Sequence, residues 1–550
     1  MTFIRHIPAP GENSTYVYRV KSYREKGTGK VKQKTKYLGK EIITNGKKIL
    51  IPPKHKRTKV KKVLSCGGPV VLYHLAEKFG LPRIIDNAVR GCTGIPDTGK
   101  KITVLAINKV LSNDGIEGMK RWFCSTSLRR YTGLSADDFT PKKVRRLNDI
   151  LSIENPNIIG TIEKGIVNKI KRKYPEDLSM LVYDLTYLTF HGNVNALAKY
   201  GHAYRHNGNE KQINLVLAVT KKRKLPVHHR ILPGNIVSVS TIRRFAHELK
   251  EYKLKNIVVI VDRGFYSEKN MEELEEYKVI GALSSNLRIH KKAIEKSTEI
   301  EHPRNYMRYN KEVFFVMEHK INGKRLIVLH SPLKHAKGLE ECYAEIDERE
   351  QYLKEREKVF YDSEDDMLKE LETVCKPHKE CFRIDPKKTK NGWSFSYRLL
   401  HDVILEKSRR LGKTVLFTTT SMPAKDILRL YREKDVVEKT FQLMKRRGLT
   451  PVNATKEETT RAYGILAVLG YFLLASLRNA LKDVDYDESE KNWKKQGKGK
   501  KEDEKEISLE KALSLLDGIK EVVFSDNSST LTDITKEQEG LLEKVGVVLR

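Results

Sequence analysis

Three acidic side chains stand where the surrounding sequence makes a charge expensive. Asp184 lies inside the apolar run SMLVYDLTYLTF, and Asp262 closes NIVVIVDRGF, which reads as a strand buried on both faces. A carboxylate so placed costs several kcal/mol to desolvate unless a cation or hydrogen bonds compensate it. Alone, each reads first as a capping or structural aspartate. On two strands of one sheet they could share a site, and like charges that close raise one another's pKa unless a divalent ion neutralises them. The third acid, Glu438, falls in AKDILRLYREKDVVEKTFQLMKRR, which reads as one helix. Tyr431, Glu438 and Lys445 are spaced by seven, so each is displaced about 20° around the axis from the last, and Lys434 sits about 40° from Glu438 on the same face. Val437, Phe441 and Met444 form the neighbouring apolar stripe. That face offers a carboxylate for a metal, cations for phosphate and a ring for a sugar or base. The plain alternative is an amphipathic helix with a solvated Glu–Lys face.

Bringing these residues together requires a sheet and a helix from distant parts of the chain. From 179, SMLVYDLTYLTF, QINLVLAVT and LPVHHRILPG read as three antiparallel strands, the last two joined by a tight charged turn at Lys221–Lys224. The helix-like VSVSTIRRFAHELKEYK leads into the buried strand before Asp262, and together these predict a mixed α/β sheet. Residues 290–411 break that texture with VFFVMEHKI, RLIVLHS, GWSFSYRLL and a charged helical stretch, and are read as an insertion before TVLFTTT returns to the sheet. Upstream, VVLYHLAEKFGL and ITVLAINKVLSN carry helical apolar spacing, with a Gly-Leu-Pro stop after the first. The expected division is a basic N-terminal hairpin region (1–67), a helical DNA-binding or accessory domain (68–176), a core in two parts (177–289 and 412–485) around the insertion (290–411), a charged linker (486–506) and a small C-terminal unit (507–550).

Charge narrows the partner. The 550 residues hold 105 Lys+Arg against 71 Asp+Glu, a net +34. Such an excess favours a polyanion, because nucleic acid rewards each cation by counterion release. Residues 19–62 carry 17 Lys/Arg and only two acids, Glu25 and Glu41. They read as a hairpin around Gly27-Thr28-Gly29, which is either a solvated ribbon or one that lies on DNA. Six cysteines exclude a disulfide scaffold. Cys375, His378 and Cys381 are close, but no CxxC pair accompanies them, so zinc is disfavoured. The N-terminus shows no secretory pattern. The uncharged run Ala462 to Leu477 is shorter than the roughly 20 residues of a bilayer span, so it reads as a core helix. A soluble protein of a reducing compartment, with no membrane partner, is the expectation.

The order of these pieces resembles the DDE transposases of prokaryotic insertion sequences, and more narrowly the insertion-sequence-four-like superfamily with its Tyr-x2-Arg-x3-Glu-x6-Lys motif. Here that motif reads YREKDVVEKTFQLMK from Tyr431 to Lys445; VIVDRGFYS resembles the Asp-Arg-Gly-Phe box; VYDLTYLTF matches the Asp-x-Thr strand, with Thr186 on the face of Asp184. Likeness is good over 177–289 and 412–480, poor over the insertion and loose at the N-terminus. The resemblance implies an RNase H-like core in which catalytic Asp184, Asp262 and Glu438 are also the ligands of two Mg²⁺ ions, or Mn²⁺, for cleavage at element ends and strand transfer into target DNA. It further implies DNA contacts by Tyr431, Lys434, Lys445 and Arg263, a homodimeric synaptic complex on double-stranded DNA, and a cytoplasmic, nucleoid-associated, prokaryotic setting. The family's Arg is Lys434 here, because Arg432 lies about 120° off the Glu438 face; Lys keeps the charge and loses the bidentate fork. In some relatives a Trp of the insertion stacks on a flipped base. Trp393 is the only Trp within 290–411, and in a β-rich insertion it could equally be core.

Other chemistries fit less well. Gly94-IPDT-Gly99-Lys100 has P-loop spacing, but Lys101 stands where a hydroxyl should reach Mg²⁺, and no apolar strand precedes it. There is no GxSxG elbow and no HExxH. A glycosidase built on paired acids is disfavoured by the charge and by only three Trp. A transposase-derived DNA-binding protein, or a nuclease of the same fold that cuts without joining, remains the alternative.

Overall fold

The computed structural model describes residues 2–9, 14–24, 30–44, 47–51, 59–154, 157–201, 210–236, 238–432, 434–449, 452–482 and 507–549. The chain divides into two units, a smaller one from residues 1–65 with 519–534 and a larger one from 66–518 with 535–549.

In the smaller unit, Ser14–Arg24 pairs antiparallel with Val31–Thr44, and Thr2–Pro8 and Lys47–Ile51 extend the pair to four strands. The hairpin anticipated around 27–29 is therefore the middle of a larger sheet; its turn lies outside the described residues. Val17 and Val20 are both buried, although three residues apart, because the register shifts between Val17 and Tyr18; Arg19, Lys21, Lys34 and Lys36 are exposed. A second sheet pairs Val60–Ser65 with Lys520–Phe524, which in turn pairs with Ser529–Leu531. The segment 507–550, expected as a unit of its own, is thus divided. Its two strands give too small an apolar face to stand alone and complete this sheet, while helices Leu509–Asp517 and Lys536–Val545 belong to the larger unit. The expected linker 486–506 lies outside the described residues.

The larger unit begins with helices, including α1 (Thr98–Leu111), α2 (Pro141–Leu151) and α3 (Ile158–Lys173). The Gly-Leu-Pro stop acts as its residues dictate: Gly80, at φ 84°, caps Gly67–Phe79, and Leu81-Pro82 opens the next helix. The central sheet follows as β1 (Met180–Thr189), β2 (Lys211–Thr220), β3 (Pro226–Pro233), β4 (Val258–Val261), β5 (Lys278–Ala282), β6 (Tyr306–Tyr309), β7 (Glu312–Ile321), β8 (Lys324–His330) and β9 (Lys413–Thr418). Its order is β3-β2-β1-β4-β5-β9-β8-β7-β6, with the short strand Lys199–Tyr200 also on β2. β1 runs antiparallel to β2 and parallel to β4, which is parallel to β5. Helix α4 (Ile242–Glu251) carries the chain from β3 to β4.

The insertion expected over 290–411 separates into two parts. Strands β6, β7 and β8 are hydrogen-bonded into the central sheet through β9, which lies between β5 and β8. Only the stretch from Pro332 packs on a core of its own: Cys342, Leu353, Met367, Leu371, Cys375, Cys381, Phe395 and Ile404 from three helices and the hairpin Phe382–Thr389/Gly392–Leu399. A two-sided apolar strand such as RLIVLHS is satisfied by burial within a sheet, which is why it joins the existing one. The chain ends its core with α5 (Ala424–Arg432), α6 (Asp435–Met444) and α7 (Glu457–Leu481). Helix α7 is long and apolar enough to cross a membrane, but 78% of its apolar window is buried inside the protein.

Candidate active site

Strand β1 turns Asp184, Thr186 and Leu188 onto one face. Parallel pairing sets Tyr183 beside Val261, so Asp262, the next residue after β4, comes alongside Asp184. Asp262 ends the apolar run by capping a short turn, its Oδ1 accepting the Arg263 N–H at 2.8 Å. Asp184 accepts the Leu185 N–H at 2.8 Å.

The third acid arrives differently from expectation. Residues 424–447 are not one helix: α5 ends at Arg432 and α6 restarts at Asp435, with Lys434 as its cap. The restart places Asp435 and Glu438 in a first turn, where the exposed N–H dipoles favour carboxylates. It also lets the two sides of the break converge. Tyr431 donates its hydroxyl to Asp262 Oδ1 at 3.1 Å, and Lys434 Nζ lies 3.1 Å from the same oxygen and 3.3 Å from Glu438 Oε1. One ammonium therefore bridges the second and third acids. Val437, Phe441 and Met444 are buried and seat α6 on the core. Arg432 is turned away, its guanidinium 4.8 Å from the Phe314 ring centroid.

Electrostatics follow the geometry. Burial, and then the Asp262 charge, push Asp184 up to about 7. For Asp262 burial also pushes upward, but the Lys434 ammonium with the Arg263 N–H and Tyr431 hydroxyl outweighs it and holds the carboxyl below its ordinary value. Burial pulls Lys434 down, and Asp262 with Asp184 more than restores it. Burial and the neighbouring Asp262 carboxylate raise the Tyr431 phenol far above its usual range, so it stays a donor.

The remaining expected residues are dispersed. Lys445 donates to Thr186 Oγ1 at 2.9 Å, lies 4.7 Å from the Tyr187 ring centroid and is lowered by burial. Arg263 is exposed beside Asp262. Trp393 lies on the insertion hairpin, partly buried against that module's own core, with the Lys388 ammonium 5.7 Å from its ring centroid.

A second cluster was not visible in the sequence. Glu163 of α3 accepts from the His229 N–H at 2.7 Å and the Tyr252 hydroxyl at 3.0 Å. His228 Nδ1 lies 2.7 Å from Glu248, which also pairs with Arg230. Among the described residues, Glu163, His228 and Glu248 are the only His/Cys/Asp/Glu trio whose donor atoms all fall within 4.8 Å. The hydrogen bonds of both histidines hold Glu163 low against its burial, and burial keeps the histidines neutral-leaning. We read it as an ionic tie between α3, β3 and α4. The signal present in the sequence was His228-His229-Arg230 inside an apolar strand. Cys375, His378 and Cys381 do not form such a trio; the three thiols of the insertion core are buried and free.

The profile described as Transposase DDE domain matches residues 175–473. Among solved structures, the chain is similar to a piggyBac transposase synaptic complex with hairpin DNA, at 10% identity over 82% of this chain and 80% of that one, with a TM-score of 0.37. It is also similar to a Mos1 transposase paired-end complex with the left transposon end, at 11% identity over 33% and 57% of the two chains, with a TM-score of 0.14. No curated protein matches it.

Proposed function

Because the chain belongs to the Transposase DDE domain family, we propose that it cuts DNA at the ends of an insertion sequence and joins the freed ends to target DNA. In this reading Asp184, Asp262 and Glu438 are the catalytic carboxylates of an RNase H-like core. The strand order β3-β2-β1-β4-β5, antiparallel on one side of β1 and parallel on the other, supports that core.

The observation that carries the proposal is that Asp184 of β1 comes alongside Asp262 at the end of β4, while one half-buried ammonium joins Asp262 to Glu438 at the start of α6. Lys434 between Asp262 and Glu438 stands where a cation is at home, and the donor set is of the hard oxygens that Mg²⁺ or Mn²⁺ prefers. The three acids do not close to 4.8 Å of one another as the Glu163 trio does. Divalent ions held by Asp184, Asp262 and Glu438 would supply activation of an attacking oxygen and stabilisation of the leaving one. Asp184 must release a proton to become a full ligand, and at about 7 it does so in the neutral range. Asp262 is already ionised there. Tyr431 fixes the Asp262 carboxylate by its hydrogen bond, and Lys434, Lys445 and exposed Arg263 supply phosphate contacts, which position DNA without reading sequence. In cleavage, water adds to phosphorus as the 3′-oxygen leaves; in joining, that 3′-hydroxyl attacks a target phosphodiester and displaces the target strand's own 3′-oxygen, which leaves as a hydroxyl. Two subunits, one for each end, complete the reading.

The test incubates the full chain with a duplex bearing the terminal inverted repeat of its own element and Mg²⁺. Asp184→Ala, Asp262→Ala and Glu438→Ala each lower nicking at least about 10³-fold, some 4 kcal/mol of transition-state stabilisation, and leave duplex affinity within threefold. Full cleavage by any one of them removes that residue from the site. Nicking without joined product leaves the non-joining nuclease as the answer.

A further inference from the structure

The buried tie of α3, β3 and α4 brings three donor atoms together. Glu163, His228 and Glu248 are 2%, 1% and 5% exposed, and one donor atom from each lies within 4.8 Å of the other two. Each carboxylate is held by one oxygen and brings the other to the shared cluster. Glu163 Oε1 accepts the His229 N–H at 2.7 Å and faces His229 Nδ1 at 2.6 Å. Its Oε2 accepts the Tyr252 hydroxyl at 3.0 Å and lies 3.5 Å from His228 Nδ1. Glu248 Oε1 takes the Arg230 guanidinium, while its Oε2 lies 2.7 Å from the same imidazole nitrogen. Despite that approach, neither His228 Nδ1 nor Glu248 Oε2 makes a hydrogen bond. A buried polar group left unpaired costs about 1–3 kcal/mol, so two such atoms side by side call for a partner that both can bind.

One imidazole nitrogen and two carboxylate oxygens are a donor set for a borderline divalent ion such as Zn²⁺. Tetrahedral ligands at zinc bond lengths stand about 3.4 Å apart, a spacing that the observed 2.7 and 3.5 Å separations bracket. Burial lowers the pKa of His228, and the neutral imidazole is the form that ligates. His229 and Arg230 hold the far oxygen of each carboxylate, the outer contacts that orient metal ligands. Two buried carboxylates face one buried guanidinium, since Arg244, 3.6 Å from Glu248, is largely exposed. Arg230 meets Glu248 on the oxygen away from His228, so the carboxylate screens it from the shared point. We propose that Glu163, His228 and Glu248 bind one Zn²⁺ ion that clamps α3 onto β3 and α4. Three protein donors leave the fourth position to solvent or to the second oxygen of a carboxylate. The nitrogen ligand separates this site from the all-oxygen set of Asp184, Asp262 and Glu438, which suits harder ions, and its occupancy does not depend on whether the chain cuts DNA.

The test equilibrates the full chain, free of any affinity tag, with Zn²⁺ in excess Mg²⁺ and removes loosely held metal by gel filtration. The wild type and Asp184→Ala are expected to retain one zinc per chain, and Glu163→Gln and Glu248→Gln less than roughly a tenth of that. Stripping the ion with a chelator lowers the wild-type melting temperature by several degrees and leaves that of Glu248→Gln unmoved. X-ray absorption at the zinc edge shows nitrogen and oxygen neighbours, an imidazole among them, and no sulfur. A wild type that retains no zinc, or whose melting temperature ignores its removal, overturns the inference. So does zinc kept by Glu248→Gln, zinc lost with Asp184→Ala, or sulfur around the ion, which would assign it to the thiols of the insertion. If both glutamine variants fail to fold, zinc retention and the absorption spectrum of the wild type decide the matter without them.

Discussion

Asp184→Asn should stabilise the protein as it removes its activity, and the gain should depend on pH in a way only this site explains. Each tenfold change in proton affinity is worth about 1.4 kcal/mol. Holding Asp184 at about 7 instead of the ordinary 3.8 therefore destabilises the folded chain by at most about 4 kcal/mol once the carboxyl is ionised. The sign follows from the two states. Below pH 4 the acid is protonated folded and unfolded, and no penalty exists. Between about 4 and 7 the unfolded chain ionises and the folded one does not, so the penalty grows; above 7 it is constant. Asparagine cannot ionise, yet its carbonyl can keep the 2.8 Å bond from the Leu185 N–H.

The assay is thermal or urea unfolding of both proteins in EDTA from pH 4.5 to 8.5. The variant should lie within about 1 kcal/mol of the wild type at the acid end and exceed it by a few kcal/mol at pH 8. Saturating Mg²⁺ should then narrow that margin. An ion that binds only the folded wild type adds about 2.7 kcal/mol at a hundredfold excess over its Kd, and the variant lacks a ligand. A variant that is less stable than the wild type at pH 8 in EDTA, or a difference that is flat with pH, refutes the claim that charge crowding is stored at Asp184.

Lys434→Met takes the ammonium from between Asp262 and Glu438. Asp184 and Asp262 then both rise, and the acid limb of the cleavage–pH profile should move to higher pH, while a profile unmoved means that Lys434 does not set the carboxylates. Because Lys434's own pKa is raised by folding, its contribution to stability is fully present at neutral pH and is lost only above the ordinary lysine range, so melting curves near neutrality should show it as a difference that does not vary with pH. Gly470→Ala should cost about 1–3 kcal/mol by overpacking, since a Cβ there would lie 2.4 Å from Val110 Cγ1 and 2.7 Å from the Ala106 carbonyl of α1; an unchanged melting temperature would show that α1 and α7 are less tightly apposed. In the N-terminal sheet, Arg19 faces Lys36 and Lys21 faces Lys34 across adjacent strands, an arrangement that repels in the free protein. Lys34→Glu should therefore leave the free protein at least as stable and yet weaken duplex binding and flatten the dependence of log K on log salt. An unchanged slope would remove the sheet from the DNA interface.

How far the sequence could be read depended on whether the deciding contact was local. Asp184 and Asp262 were legible because each interrupts an apolar strand, and a buried carboxylate announces its own cost. Parallel pairing of β1 with β4 then brings them side by side by a rule that acts on strands alone. The break between Arg432 and Asp435 was not legible. Tyr431 through Lys445 keeps perfect helical spacing, and nothing local to it reveals that Asp262, 169 residues away, draws both Tyr431 and Lys434 to a single oxygen. A straight helix would have satisfied the pattern equally well. The same holds for β6–β8, whose apolar alternation predicts strands but cannot say which sheet takes them, and for Glu163, a helical acid that looks solvated until His228, His229 and Tyr252 arrive from elsewhere. Asn108 and Asn148 belong to this second class. Each lies on a helix that packs against α7, and only that packing leaves their buried amide atoms without partners.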